Sequence, residues 1–366
     1  MSLRVAACVL SLVLGLAFPR FGAQEASAAG LELKDPDGLS LLKAHVQLAP
    51  GVVLESLKES DGRRLELDLG LFRARLRAEG HAGTQDLTYF LQVHFPEGEP
   101  ALLDGYFDVS LASSVRLRAG RMKRPWDRQF LIPPHRLATP ERALTSRVFS
   151  SRRDEGLMVH SGDESVFEWA LGIFRGNYES PSQVGRQIRR EEELEPAERP
   201  QARPVLALRL ARRAPGAYDE SDKLKTPLRW SIGLGALVFL PKDDLGGAFQ
   251  AQVDLHLAHR GFTLSGAAFV ATEQDGKGYV DQAFESVGYY VQSSLLLGEL
   301  FEPSLRFTHL VFGTESSDVK DIRLGVTFSF YGSLLRWLNS VGMTKRDIPG
   351  GYRSDVTLRS TLELNY

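Results

Sequence analysis

The sequence predicts an all-β fold, a transmembrane antiparallel β-barrel of about 16 strands. Three observations predict it. The first is the end of the chain, Asp355–Tyr366, which reads D-V-T-L-R-S-T-L-E-L-N-Y. Val356, Leu358, Leu362, Leu364 and Tyr366 share one face, and Asp355, Thr357, Arg359, Thr361, Glu363 and Asn365 share the other. Side chains alternate with a period of two on a strand, so one face is apolar and one polar. A strand that ends a chain with no turn after it leaves an open edge, unless another strand closes against it. The second observation is a series of segments of roughly ten residues, the length a tilted strand needs to cross a bilayer. The third is an N-terminus built for export.

That N-terminus comes first in the chain. Arg4, the apolar run Val5–Phe18 and the small residues Ala26-Ser27-Ala28 compose a secretory leader over 1–28. Cleavage after Ala28 is the first choice and after Ala23 the second. The apolar run is shorter than the ~20 residues of a spanning helix. The barrel domain then covers 29–366, in the outer membrane of a bacterium. Cys8 is the single cysteine and lies in the leader, so the exported chain has no disulfide and no cysteine metal site. The net charge of −2 gives no pull toward nucleic acid. Charged residues at 25% and apolar residues at 43% suit strands that mix lipid-facing and lumen-facing positions. The terminal aromatic also resembles the C-terminal signal of bacterial outer-membrane barrels. That implies the membrane assembly machinery as a partner of the last strand.

The strands follow in order at 43–56, 64–79, 86–96, 99–111, 114–123, 154–161, 165–175, 203–213, 228–240, 246–258, 261–272, 283–297, 303–312, 319–331, 333–343 and 355–366. Sixteen is an even number, as bacterial single-chain barrels require. Many segments alternate. Gln252, Asp254 and His256 oppose Val253, Leu255 and Leu257, and Arg323, Gly325, Thr327 and Ser329 oppose Ile322, Leu324, Val326 and Phe328. A soluble sandwich would alternate too, so periodicity alone does not separate the two. Connections after the fifth, seventh, eleventh and fifteenth segments are long, and those after the fourth, sixth, tenth and fourteenth are short. Residues 214–227 break this parity, because a short turn is expected there. Near Gly70 the apolar phase changes from Leu65, Leu67, Leu69 and Leu71 to Arg73, Arg75 and Arg77, which calls for a β-bulge. The stretch 176–202 is rich in Pro, Glu and Arg and reads as an outer loop.

One segment is unlike the rest. Arg116–Arg153 holds eleven basic residues: Arg116, Arg118, Arg121, Lys123, Arg124, Arg128, Arg136, Arg142, Arg147, Arg152 and Arg153. Its acids are Asp127 and Glu141. Most of this charge lies in the long connection after the fifth strand. Folded into the lumen, such a loop would narrow it and favour anions. Left outside, it would pair with lipopolysaccharide phosphates. Pro125, Pro133, Pro134 and Pro140 give the connection a defined, irregular path, which favours the folded-in arrangement.

The run G-R-M-K-R-P-W at Gly120–Trp126 resembles the strand-to-loop signature of the phosphate-selective porin O and P family. Ser151–Val159, Gly172–Asn177 and the Arg-rich Phe72–Gly80 are similar to further elements of that family. The resemblance implies a sixteen-stranded, trimeric outer-membrane channel, with Arg73, Arg75 and the basic loop residues along the anion path. Phosphate specificity does not follow, because Lys123 is the one lysine of the segment where phosphate-specific members carry several. The expected function is passive diffusion of small hydrophilic solutes with anion preference. The expected partners are membrane lipid, lipopolysaccharide and two further copies of the chain. A non-conducting barrel that serves as an anchor or surface-binding protein is the alternative. No cofactor motif, metal set or catalytic group is recognised. Asp254 and His256 read as wet lining, and Ser161, beside His160, begins a turn.

Overall fold

In the computed structural model, residues 31–59, 62–95, 100–149, 153–162, 165–176, 203–214, 220, 227–242, 246–273, 284–312, 317–330, 334–348 and 351–366 are described. The leader and most of 176–202 lie outside them. A short strand, β1 (Leu31–Lys34), precedes sixteen long ones. These are β2 (Leu41–Glu59), β3 (Gly62–His81), β4 (Leu87–His94), β5 (Ala101–Ala112), β6 (Val115–Lys123), β7 (Arg153–His160), β8 (Phe167–Phe174) and β9 (Val205–Arg213). They continue with β10 (Arg229–Phe239), β11 (Ala248–His259), β12 (Phe262–Glu273), β13 (Phe284–Leu295), β14 (Phe301–Phe312), β15 (Ser317–Ser329), β16 (Leu335–Ile348) and β17 (Gly351–Asn365). Neighbours pair antiparallel, and β17 returns to β2, so the sheet closes into a barrel. Each of the sixteen expected segments corresponds to one of these strands. β1, which pairs with the start of β2, was not anticipated.

The terminal strand closes the barrel. Tyr366 and Val46 exchange two backbone hydrogen bonds, at 2.8 and 2.6 Å. Leu358, Leu362, Leu364 and Tyr366 are exposed on the outside, whereas Asp355, Thr361 and Glu363 are buried inside. The same inversion runs round the wall. On β9, Leu206, Leu208 and Leu210 are exposed while Ala207, Arg209 and Ala211 are buried. An apolar outer face and a charged inner one is the reverse of a water-soluble sandwich, and hydrocarbon is the solvent that suits it.

The expected bulge is present. Ala49 pairs with Arg73 and Pro50 with Leu71, which leaves Phe72 as the extra residue. Leu65, Leu67, Leu69 and Leu71 therefore face out, and Arg73, Arg75 and Arg77 face in. One expectation fails. The connection after the fifteenth segment is not a long loop, because β16 and β17 extend through it as a hairpin. Asp355 accepts from Arg346 and Arg353, and Lys58 and Lys345 flank the Tyr352 ring at 4.9 and 4.3 Å, so side chains hold the extension together.

Candidate functional site

The connection between β6 and β7 lies inside the barrel. The connection leaves the wall after Lys123, and β6 bends ahead of that point at Gly120, whose φ of +130° suits glycine. A Cβ there would stand 2.3 Å from the Gly105 carbonyl oxygen, so the bend needs a residue without one. Trp126 then enters the core, its Nε1–H donating to the Phe149 carbonyl at 3.1 Å and its ring tilted against Phe269. Asp127 caps a short helix, α1 (Arg128–Leu131), accepting from the backbone N–H groups of Gln129 and Phe130. A 3₁₀ turn at Pro134–Arg136 follows, and a second helix, α2 (Leu144–Val148), carries the chain back. Gly288 on β13 gives that return room, because a Cβ would press on Phe149 and Thr145 at 2.9 Å.

Arginines of the wall hold the loop by its carbonyl groups. Arg336 donates to His135 and Leu137, each at 2.7 Å. Arg306 donates to Thr139 Oγ1 at 3.0 Å and to the Glu141 carbonyl at 2.8 Å. Arg73 donates to the Pro140 carbonyl at 2.6 Å. The Glu141 carboxylate accepts from Arg323 and Arg359. From the other side comes Glu220, in the stretch that breaks the expected parity. Its carboxylate accepts from Gln129 Nε2 at 2.7 Å, the Ala138 N–H at 3.1 Å and Gln292 Nε2 at 2.9 Å. Hydrogen bonds to charged groups are the strong ones, so this set fixes the loop against β13–β17 and the Arg73 end of β3.

The space left open lies toward β3–β7, and basic residues gather there. Lys123 Nζ donates to the carbonyls of Phe130 and Leu131, at 2.8 and 3.0 Å. Arg142 crosses the loop to the carbonyls of Gln129 and Ile132, at 2.9 and 2.8 Å. Arg153 is bound to Asp104 at 2.9 Å. All three surround the Phe130 ring, at 5.4, 5.4 and 6.0 Å from its centre. Arg75 completes the cluster, with Arg73, Arg153, Arg142 and Asp104 as its electrostatic neighbours. Its Nε and Nη1 have no hydrogen-bond partner among the described residues. Burial and the neighbouring arginines hold Arg142 down to about 10, so it stays charged at neutral pH.

The remaining basic residues go elsewhere. Arg116 and Arg118 share Asp108, at 2.8 and 2.6 Å, with His160 as a third partner at 3.0 Å. Arg124 is fully buried, its guanidinium over Phe239. Arg128 and Arg136 line a cavity beneath the loop. Arg147 is exposed on α2, with Arg359, Arg306, Asp321 and Glu55 around it. Arg121 turns to the outer side of β6, opposite Met122, and pairs with Glu155 at 3.1 Å. It thus stands apart from the other basic residues, because unbroken alternation from Arg116, Arg118 and Met122 on the inner face puts it on the outer one. Arg152 lies outside the described residues. Sequence reasoning passed over Arg306, Arg323, Arg336 and Arg359 as site residues. Their in-facing alternation was visible, but not that the loop would meet them.

Asp127 yields one testable consequence. Burial pushes its carboxyl up to about 6 from the ordinary 3.8. A raised carboxyl favours the folded state below the ordinary range, and that advantage is lost as pH rises through about 6. The two-unit difference is on the order of 3 kcal/mol. Asp127→Asn, which can still cap α1, should therefore unfold at a higher denaturant concentration than the natural chain at pH 8 and at a similar one near pH 4. Equal differences at both pH values would disprove the assignment.

No family model and no curated protein matches the chain. Solved structures do match it. An anion-selective porin from Comamonas acidovorans aligns with a TM-score of 0.63 at 13% identity, over 89% of this chain and 100% of its own. The outer-membrane channel DcaP of Acinetobacter baumannii gives 0.63 at 10% identity, over 92% and 100%. The trimer form of OmpT from Vibrio cholerae gives 0.55 at 10% identity, over 89% and 99%. At these identities the likeness establishes the fold: the chain is a closed sixteen-stranded antiparallel barrel of the kind found in bacterial outer-membrane porins.

Proposed function

We propose that this protein is an outer-membrane porin, a passive diffusion channel that prefers small anions. The observation that carries the reading is the cluster of Arg73, Arg75, Lys123, Arg142 and Arg153 beside the loop inside the barrel. Asp104, bound to Arg153, and Glu363, 3.5 Å from Arg73, are the acids bound directly to it. Fixed cations in a low-dielectric, narrow passage raise the local concentration of anions. Arg75, without a partner, is the residue most ready to meet one. Inorganic phosphate is one candidate solute, in keeping with the phosphate-selective porin O and P family that Gly120–Trp126 resembles. The test is the reversal potential of refolded protein in a planar bilayer under a potassium chloride gradient. An anion-side value supports the reading, and a cation-side value refutes it. Absence of channel steps from folded protein would instead favour a non-conducting anchor.

The functional unit in this reading is a trimer in the outer membrane, reached after export by the leader over 1–28. Three features of one wall favour contact with protein over contact with lipid. β4, β7 and β8 are each 8 residues long, below the ~9–11 a spanning strand needs. Above Ala74, β3 has no strand partner on its second edge among the described residues. Open edges do not face hydrocarbon. Arg121, Glu155 and Arg175 form an ion-paired row on the outer face, where lipid disfavours charge. Arg121→Glu would set two acids together in that row. It should shift the protein from trimer to monomer in detergent, as read by light scattering, and leave the reversal potential of any surviving channels unchanged.

A further inference from the structure

The cavity beneath the loop has a volume of about 540 Å³. That is within the range of about 300–1,000 Å³ typical of small-molecule sites. Ser161 and Gly162, in the turn after β7, line it, so it belongs to the short-turn side of the barrel. Its walls differ in kind. On the side of β4–β6, Phe90 stacks on Tyr106 with ring centres 5.2 Å apart and planes 11° from parallel. The Arg118 guanidinium lies over the same Tyr106 ring at 4.4 Å. A phenyl, a phenol and a guanidinium are thus layered along the wall. The loop lines the same cavity with Leu131, Ile132 and Pro133.

Charge in the cavity is one-sided. Its lining includes eight basic side chains (Arg77, Arg118, Lys123, Arg128, Arg136, Arg153, Arg209 and Arg213) and three acidic ones (Glu79, Asp104 and Glu168). Asp108 and Asp254 stand behind Arg118 and Arg209, at 2.6 and 2.7 Å, which still leaves an excess of cations. The Lys123 ammonium meets two carbonyls, and Arg77, paired through Nη2 with Glu79 at 3.4 Å, keeps a buried Nε without a hydrogen-bond partner among the described residues.

We propose that this vestibule is a binding station for flat aromatic carboxylates. The proposal rests on the anion-channel reading and gives it a solute class. A small inorganic anion would shed hydration against Leu131, Ile132 and Phe90 and gain nothing from them. A ring carrying a carboxylate would place its face against the aromatic and guanidinium stack and its charge toward Arg77 or Lys123. Such stacking has preferred geometry and adds to simple burial. An aliphatic ring of similar size has no π-face to offer.

The test is block of chloride current through single channels by benzoate and by cyclohexanecarboxylate, which differ in the ring. Benzoate should block at a concentration lower by about tenfold, the ratio that about 1.4 kcal/mol from one stacked ring gives. Phe90→Leu should remove most of that difference, because both faces of Tyr106 are already covered by Phe90 and Arg118, and Tyr106→Leu should reduce it. Equal block by the two acids in the natural protein would overturn the proposal, and that comparison needs no variant to fold. A Phe90→Leu channel with unchanged discrimination would overturn it as well. In either case an anion-side reversal potential in chloride would leave the channel reading standing, whereas a cation-side value would remove both.

Discussion

Replacing Arg75 with glutamate should lower the anion-to-cation permeability ratio by about tenfold, a change equivalent to about 1.4 kcal/mol. Three features make this the informative position. Arg75 faces the lumen, on the in-facing side of β3 set by the bulge at Phe72. It sits among Arg73, Arg153 and Arg142, so reversing its charge changes the field where basic residues converge. It also has no hydrogen-bond partner to lose, and a carboxylate there would gain cations as neighbours. The fold should therefore survive the change, with a heat-modifiable band like that of the natural chain. At an effective dielectric near 20, a unit charge about 8 Å from a passing ion acts with roughly 2 kcal/mol before salt screening. A tenfold effect lies within that reach. Three neighbouring basic residues of the same segment, Arg121, Lys123 and Arg124, divide in the structure. Only Lys123 belongs to the cluster, because Arg121 turns outward and Arg124 is packed against Phe239. A reversal potential unmoved by Arg75→Glu would place the selective region elsewhere.

Arg336→Met should release the loop. Arg336 is fully buried and gives one hydrogen bond each to the carbonyls of His135 and Leu137, at 2.7 Å. Its Nη1 also lies 3.9 Å from Glu363. Methionine fills comparable space but donates nothing, so two loop carbonyls and one carboxylate lose a partner. Removing one member of a buried charged set costs about 3–5 kcal/mol. A barrel closed by sixteen paired strands can absorb that cost without opening, so the loss should fall on the loop. Single-channel conductance should rise, and anion preference should fall as Arg142 moves away from the passage with the loop. Both readouts follow from one loop movement. A rise in conductance with full anion preference would separate the hold on the loop from the charge cluster. Unchanged conductance would show that Glu220, Arg306 and Arg323 hold the loop without Arg336.

Much of this architecture was legible in the sequence because a barrel in lipid has a simple grammar. Each strand must be about ten residues long, alternate, and be followed by the next one in the chain. The period of two in Asp355–Tyr366 and the phase change at Gly70 are local signals, and each has a counterpart in the structure. The basic excess in Arg116–Arg153 was equally plain. What the sequence left open was where that charge goes. Alternation says which residues of a strand face inward, but it says nothing about which inward residues from distant strands meet a loop. Arg336 and His135 are 201 positions apart, Arg306 and Thr139 are 167 apart, and Glu220 approaches from a turn of the opposite parity. Alternation holds on β6 from Arg116 through Arg121 and Met122 and ends at Lys123, which reaches the carbonyls of Phe130 and Leu131 inside the barrel although it shares the parity of Arg121. Local periodicity thus determined the barrel, its ends and its two faces. Closure of the barrel decided the rest, because only it brings wall arginines within hydrogen-bond distance of the loop and leaves Arg75 beside the gap without a partner.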